Sequence, residues 1–256
     1  ALEAISSGRA LVAVGTHALF QKQVNFRALA LTIVDEQHRF GVHQRMALRA
    51  KGQLPHQLVM TATPIPRTLT MALYADMAVS VIDELPSGRL PIDTAVVSDQ
   101  RRGEVFTRLE TLLQRGEQAY WVCPLIEDSD QLQAMSVEVL SQLLGAALPD
   151  TRMGVLHGRM PSAEKARVMA EFKAGQLELL LATTVVEVGV DVPNASLMVI
   201  ENPERMGLSQ LHQLRGRVGR GGHRSHCILL YTSPLSAAGK TRLEVMRDSQ
   251  DGFYIA

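Results

Sequence analysis

Short apolar runs that are apolar on both faces recur along this chain, and helical patterns fill the intervals between them. The runs are Leu11–Gly15, Leu31–Asp35, Leu58–Ala62, Ala78–Ile82, Thr94–Ser98, Ala119–Ile126, Arg152–Leu156, Glu178–Thr183, Leu197–Glu201 and Ser225–Tyr231. A strand covered on one side only alternates apolar with polar residues, whereas a strand of a parallel sheet covered on both sides does not. Helices are expected at Pro64–Ala75, Arg101–Arg115, Leu132–Leu144 and Pro161–Ala174, the last with Pro161 in its first turn and Gly175 just past its end. Strand–helix–strand alternation of this kind specifies an α/β fold of parallel sheets with flanking helices.

Composition narrows the class. Of 256 residues, 46% are hydrophobic and 20% charged, which suits a packed core and excludes a disordered chain. No apolar run approaches the length of a membrane span, and Ala1-Leu2-Glu3-Ala4 has neither a basic start nor an apolar signal core. Cys123 and Cys227 stand alone, so neither a disulfide scaffold nor a cysteine zinc site is expected, and a cytoplasmic setting fits. The formal charge is zero, but it is unevenly spread. Arg205 to Leu243 holds seven bases and no acid, and Glu127 to Asp150 holds five acids and no base. Such runs are usually solvated faces.

Four segments could carry chemistry. The run Leu31–Asp35 ends in Asp35-Glu36-Gln37-His38. Carboxylates at the C-terminal tip of a buried strand face the crevice where α/β sheets bind ligands. There one acid can hold Mg²⁺ through water while its neighbour deprotonates an attacking water. The plain alternative is a loop pair capping the next segment. The next strand ends in Thr61-Ala62-Thr63-Pro64-Ile65-Pro66-Arg67, a hydroxyl-rich turn that on its own reads as a helix cap. After the strand at 178–183, Thr183 and Thr184 offer short donors suited to a phosphate backbone, Gly189 permits close approach, and Asp191 presents a loop carboxylate. An ordinary turn with a tolerated glycine explains the same residues.

The fourth segment is Gln213-Leu214-Arg215-Gly216-Arg217-Val218-Gly219-Arg220-Gly221-Gly222. If it is helical, Gln213, Arg217 and Arg220 share a face. Gly216 and Gly219 would each weaken that helix by about 1 kcal/mol, which makes sense where backbone must approach something closely. Two guanidiniums aimed across a cleft meet the need of a developing phosphoryl charge; a surface arginine cluster is the alternative. Gly239-Lys240-Thr241 mimics the end of a phosphate loop, but Pro234 stands where the first glycine belongs, so it reads as helix. The eight histidines show no paired metal spacing. Tyr120 and Trp121 read as core.

In their order along the chain these segments resemble the superfamily 2 helicases: Asp35–His38 motif II, Thr61–Thr63 motif III, Thr183–Pro193 motif V and Gln213–Arg220 motif VI. The strings Asp35–Val42, Asp83–Arg89, Val122–Glu127, Leu156–Met160 and Leu208–Gly221 are similar to the branch-migration helicases within that superfamily. The transcription-repair coupling translocases share the strings at 61–69 and 210–220, but Gln37 and the 83–89 connector stand against them. The resemblance implies RecA-like lobes of the phosphate-loop NTPase class, the first one incomplete. It assigns 1–88 to part of the first lobe, 89–235 to the second and 236–256 to the start of a translocation hairpin.

It also implies ATP and Mg²⁺, with Asp35 acting on the metal through water and Glu36 activating the hydrolytic water. Arg217 and Arg220 become arginine fingers, with Gln213 beside them, and Asp191, Gly189 and Gly216 meet the nucleotide. His38, Thr61 and Thr63 couple hydrolysis to movement, and Thr183, Thr184 and Arg67 touch DNA. The partner implied is branched DNA and no membrane, with self-association possible through the open first-lobe sheet. One departure matters: no GxxxxGK[ST] occurs in the 34 residues before Asp35. The chain therefore reads as a fragment, with half of lobe one and all of lobe two, that does not hydrolyse ATP alone. The opposing class is a non-catalytic RecA-like module; intact Glu36, Arg217 and Arg220 favour the enzyme.

Overall fold

The computed structural model describes residues 1–36, 40, 46–48, 50–61, 78–82, 84, 88–123, 130–183 and 191–255, with 130–136 and 253 by backbone alone. The chain forms two compact units, Ala1–Pro64 and Ile65–Ala256. No helix among the described residues is long and apolar enough to cross a membrane.

The first unit opens with the short helix α1 (Leu2–Ser6) and holds two parallel strands, β1 (Leu31–Val34) and β2 (His56–Val59), with Leu31 opposite His56 and Val34 opposite Val59. Only one face of β1 is covered: Thr32 and Val34 are buried, while Leu31 and Ile33 are 52% and 57% exposed. The expectation of cover on both faces fails for this strand. Leu11–Gly15 and Ala78–Ile82 are not strands either. Leu11 and Val14 are each 94% exposed and Ile82 93%, because an extended run becomes a strand only when a neighbour supplies the ladder, and none among the described residues does. The helix expected at 64–75 lies outside the described residues.

The second unit is a six-stranded parallel sheet in the order β3 (Ile92–Ser98), β8 (Ser225–Tyr231), β7 (Ala195–Glu201), β4 (Gln118–Val122), β6 (Leu179–Ala182), β5 (Met153–Leu156). Parallel neighbours need crossover connections. These are α2 (Arg102–Leu113), α3 (Asp130–Ala147), α4 (Ser162–Lys173) and α5 (Leu208–Arg215), followed by α6 (Ala237–Asp248) and α7 (Gly252–Ile255). Alternate strand residues divide into two cores. Tyr120, Val122, Leu180, Met198, Ile200 and Leu229 pack with α4 through α7 on one face. Trp121, Leu179, Leu181, Leu197, Val199 and Ile228 pack with α2 and α3 on the other. The central strand β4 is buried at all five positions, which explains why it shows no alternation.

Local chemistry sets the ends of these elements. Gln118 is buried at the start of β4, where its amide donates to the carbonyls of Phe172 and Leu177 at 2.6 and 2.7 Å. After α4, Gly175 takes φ +73°, and the N–H groups of Gly175 and Gln176 return to Phe172 and Glu171, as a glycine C-terminal cap should. Ser236 caps α6 by accepting the Gly239 N–H at 3.1 Å, so Gly239-Lys240-Thr241 is the first turn of a capped helix. Leu243 and Met246 of α6 and Ile255 of α7 lie in the same core as the sheet, so these C-terminal helices are built into the second unit.

Candidate functional site

In the first unit Asp35 and Glu36 follow β1 directly, at its C-terminal tip. Asp35 is exposed, and its Oδ1 accepts the Glu36 N–H at 2.9 Å. Glu36 is half-buried and held at φ 50°, a left-handed conformation that costs a non-glycine residue about 1–3 kcal/mol and tends to collect at functional positions. Thr61 is exposed just beyond β2. His38, Thr63 and Arg67 lie outside the described residues.

In the second unit the arginine segment departs from the helical expectation. Helix α5 ends at Arg215, so Gln213 lies on it but Arg217 and Arg220 lie in the turn that follows. The Arg217 N–H bonds the Leu214 carbonyl at 3.0 Å and the Val218 N–H the Arg215 carbonyl at 3.3 Å, the tightened pattern of a helix end. Gly219 then takes φ +76°, which turns the chain out. A common helical face for 213, 217 and 220 does not form, because the helix ends at Arg215 and Gly219 then turns the chain away.

The turn is seated against the loop that leads into β7. A Cβ on Gly221 would fall 2.4 Å from the Pro193 carbonyl oxygen, so only glycine lets the two backbones meet. Beside that contact Arg220 Nη1 lies 3.6 Å from Asp191 Oδ1, and Arg220 Nε donates to the Gly216 carbonyl at 3.3 Å. Asp191 and Arg220 are thereby brought together. Gly189 and Thr184 lie outside the described residues. The close-approach glycine is Gly221 rather than Gly216, whose φ is −66° and whose nearest would-be Cβ contact, 3.4 Å, is ordinary. Tyr120, packed edge-to-face on Phe172 at 5.0 Å, shares a core with Val218 of the turn. Burial pushes its phenol up to about 12, against the pull of Arg217 and Arg220.

The acid-free stretch from 205 to 243 is not one basic face. Arg215 is 2% exposed, and its Nη1 donates to the carbonyls of Met246 and Ser249 at 2.7 and 2.9 Å, locking α5 to the end of α6. Its Nη2 lies 3.2 Å from His212 Nδ1. Burial, reinforced by Arg215 and Arg89, lowers the His212 pKa, and because a guanidinium can only donate, the ring nitrogen is the acceptor of this contact. Arg242 donates to the Glu204 carbonyl.

Thr183 sits one residue past β6 at the C-terminal rim of the sheet, 1% exposed, its hydroxyl buried without a partner among the described residues. Along the same rim Arg102 forks onto Glu201, whose Oε1 also accepts the Trp121 indole N–H at 2.9 Å. Trp121 is therefore core and rim scaffold rather than a stacking surface.

Residues 104–222 match the helicase conserved C-terminal domain. Over 259 aligned residues the chain is 61% identical to the ATP-dependent DNA helicase RecG of Escherichia coli strain K12, covering 99% of this chain and 37% of that protein. By sequence the chain is similar to a stretch of the RecG helicases. It is 50% identical to RecG of Bacillus subtilis, covering all of this chain and 37% of that one. The structure of RecG bound to a three-way DNA junction matches 99% of this chain at a TM-score of 0.78 and 44% identity, using 33% of that chain. Saccharomyces cerevisiae Dbp5 bound to RNA and ADP BeF3, 15% identical at a TM-score of 0.60, shares the fold. The chain thus spans a little over a third of the length of its curated RecG relatives.

Residue reasoning missed three contributors to the arginine turn. Gly221 was visible as a glycine pair after Arg220 but carried no sign of what it approaches. Arg215 looks in sequence like its neighbours Arg217 and Arg220. Arg89, at the end of the connector motif, donates through Nη2 to the Gly216 carbonyl at 3.3 Å, a contact 127 residues away that no local pattern announces.

Proposed function

We propose that this chain supplies the motor part of an ATP-dependent DNA helicase that remodels branched DNA, such as replication forks and Holliday junctions, in recombination and repair. The 61% identity to a RecG helicase across 99% of the chain carries the reading. It favours branch migration over transcription-repair coupling and over a non-catalytic module. In this reading 1–88 belongs to the first motor lobe, 89–235 to the second and 236–256 to the start of a translocation hairpin.

Glu36 takes the proton of the attacking water, and its left-handed backbone fixes where its carboxylate starts. Asp35 suits Mg²⁺ held through water: it is an exposed oxygen donor at a strand tip, and its Oδ1 is already oriented by the Glu36 N–H. Bound ATP with Mg²⁺ supplies the phosphoryl group to be transferred and neutralises part of its charge. Arg217 and Arg220 meet the charge that develops on that group. Arg220 is suited to this because its Nε is occupied by the Gly216 carbonyl, which turns its Nη pair outward on the Asp191 side. Gln213, Asp191, Gly189 and Gly216 complete the nucleotide contacts. His38, Thr61 and Thr63 couple hydrolysis to movement, and Thr183, Thr184 and Arg67 act on the DNA backbone. A cytoplasmic location belongs to the same reading, as does pairing of a second copy at the half-covered β1–β2 sheet.

The test is DNA-stimulated ATP hydrolysis in a full-length RecG bearing this segment. Glu36→Gln should abolish turnover and leave nucleotide binding, and Arg217→Ala and Arg220→Ala should each lower kcat by about 10³-fold or more with little change in KM. Near-normal turnover in Glu36→Gln would end the reading.

A further inference from the structure

We propose that Arg89 is a positioning residue for the finger Arg220, acting through the Gly216 carbonyl; this rests on the arginine-finger reading above. Three contacts carry it. Arg89 Nη2 and Arg220 Nε both donate to the Gly216 carbonyl, each at 3.3 Å. A carbonyl oxygen has two lone pairs and can take both donors. Three residues further along the chain, Ile92 lies against Gly219, where a Cβ would fall 3.0 Å from Ile92 Cγ1. Ile92 is itself held twice by Gln250, whose Oε1 accepts its N–H and whose Nε2 donates to its carbonyl, both at 3.3 Å.

Residues 89 and 92 therefore clamp the turn 216–219 at both ends. The Arg89 end matters for chemistry. A Gly216 peptide held by Arg89 cannot swing, so Arg220 keeps its Nε anchor and its Nη pair stays aimed on the side of Asp191, 3.6 Å away. The two guanidiniums carry like charge, so their mutual repulsion also drives the Arg220 fork away from Arg89 and toward Asp191. Without Arg89 the peptide can rotate and the fork loses its fixed origin. Arg89 is half-buried and touches the turn, not the reacting atoms.

The experiment compares Arg89→Ala, Arg89→Lys, Arg220→Ala and the Arg89→Ala/Arg220→Ala double variant in full-length RecG bearing this segment, reading kcat and KM for ATP with branched DNA. A displacement of ~1 Å can cost about 10²-fold in rate, so a loosened anchor in Arg89→Ala should lower kcat about tenfold with KM within about twofold. Arg89→Lys should recover part of the loss, because an ammonium can donate to the same carbonyl. In the Arg220→Ala background, removing Arg89 should change nothing further. Unchanged kcat in Arg89→Ala, losses that add in the double variant, or a KM that rises as kcat falls would overturn the proposal. Normal turnover in Arg220→Ala would instead overturn the finger reading beneath it.

Discussion

Arg215 carries a guanidinium into the interior, where 2% of the residue remains exposed. No carboxylate meets it among its described hydrogen bonds; its partners are the Met246 and Ser249 carbonyls, the Thr94 hydroxyl and the His212 ring. Those carbonyls close α6, whose last turn would otherwise end with buried acceptors unmet. Arg215→Ala should therefore destabilise the chain by about 3 kcal/mol, since it strands buried carbonyls as well as removing packing. Arg215→Lys should recover only part, because one ammonium cannot reproduce a fork that divides between α6 and His212. Guanidinium unfolding followed by the fluorescence of Trp121 measures both. A loss below about 0.5 kcal/mol, the scale of an ordinary surface change, would show that Arg215 does not hold these helices together.

At the scale of elements, the decisive unit is the turn 216–222 together with the loop 191–194. Glycines perform two different tasks in it. Gly219 supplies a positive φ of 76°, and Gly221 supplies bare contact with the Pro193 carbonyl. Gly221→Ala places a methyl 2.4 Å from a backbone oxygen, so the two loops must part. That separation should break the Arg220–Asp191 pair and cost about 1–3 kcal/mol, the usual range for overpacking. The expected outcome is a lower melting temperature together with slower DNA-stimulated hydrolysis in a full-length RecG bearing the segment. Wild-type values for both would mean the contact is dispensable. Gly216→Ala offers the contrast, since its helical φ and ordinary spacing predict little change in stability.

Across the whole molecule the two units differ in how their strands are covered. The six-stranded sheet has helices on both faces, whereas β1 leaves Leu31 and Ile33 half exposed and β2 leaves Leu58 49% exposed. Amide exchange of the 256-residue chain should accordingly be faster at 31–34 and 56–59 than at 118–122, 179–182 and 195–201, because a two-stranded ladder opens locally at little cost. Equal protection in both sheets of a monomer would contradict this. The same contrast marks where sequence reasoning succeeded. Runs such as Leu179–Ala182 and Leu197–Ile200 are apolar throughout because the finished sheet buries both their faces, so period and composition sufficed to read the α/β class and the strand–helix order. Leu11–Gly15 and Ala78–Ile82 carry the same signal without a neighbour to pair with among the described residues, and an apolar run states a need for burial, not what will meet it. Asp35, Glu36, Asp191, Arg217 and Arg220 stood out as candidates because few other residue types suit phosphoryl chemistry at such positions. Which arginine goes inside, which glycine touches a carbonyl and which distant arginine steadies Arg220 depend on contacts between segments up to 127 residues apart. Local sequence determined the elements and the chemical groups; packing of the finished sheet and its helices decided which of those groups are free to act.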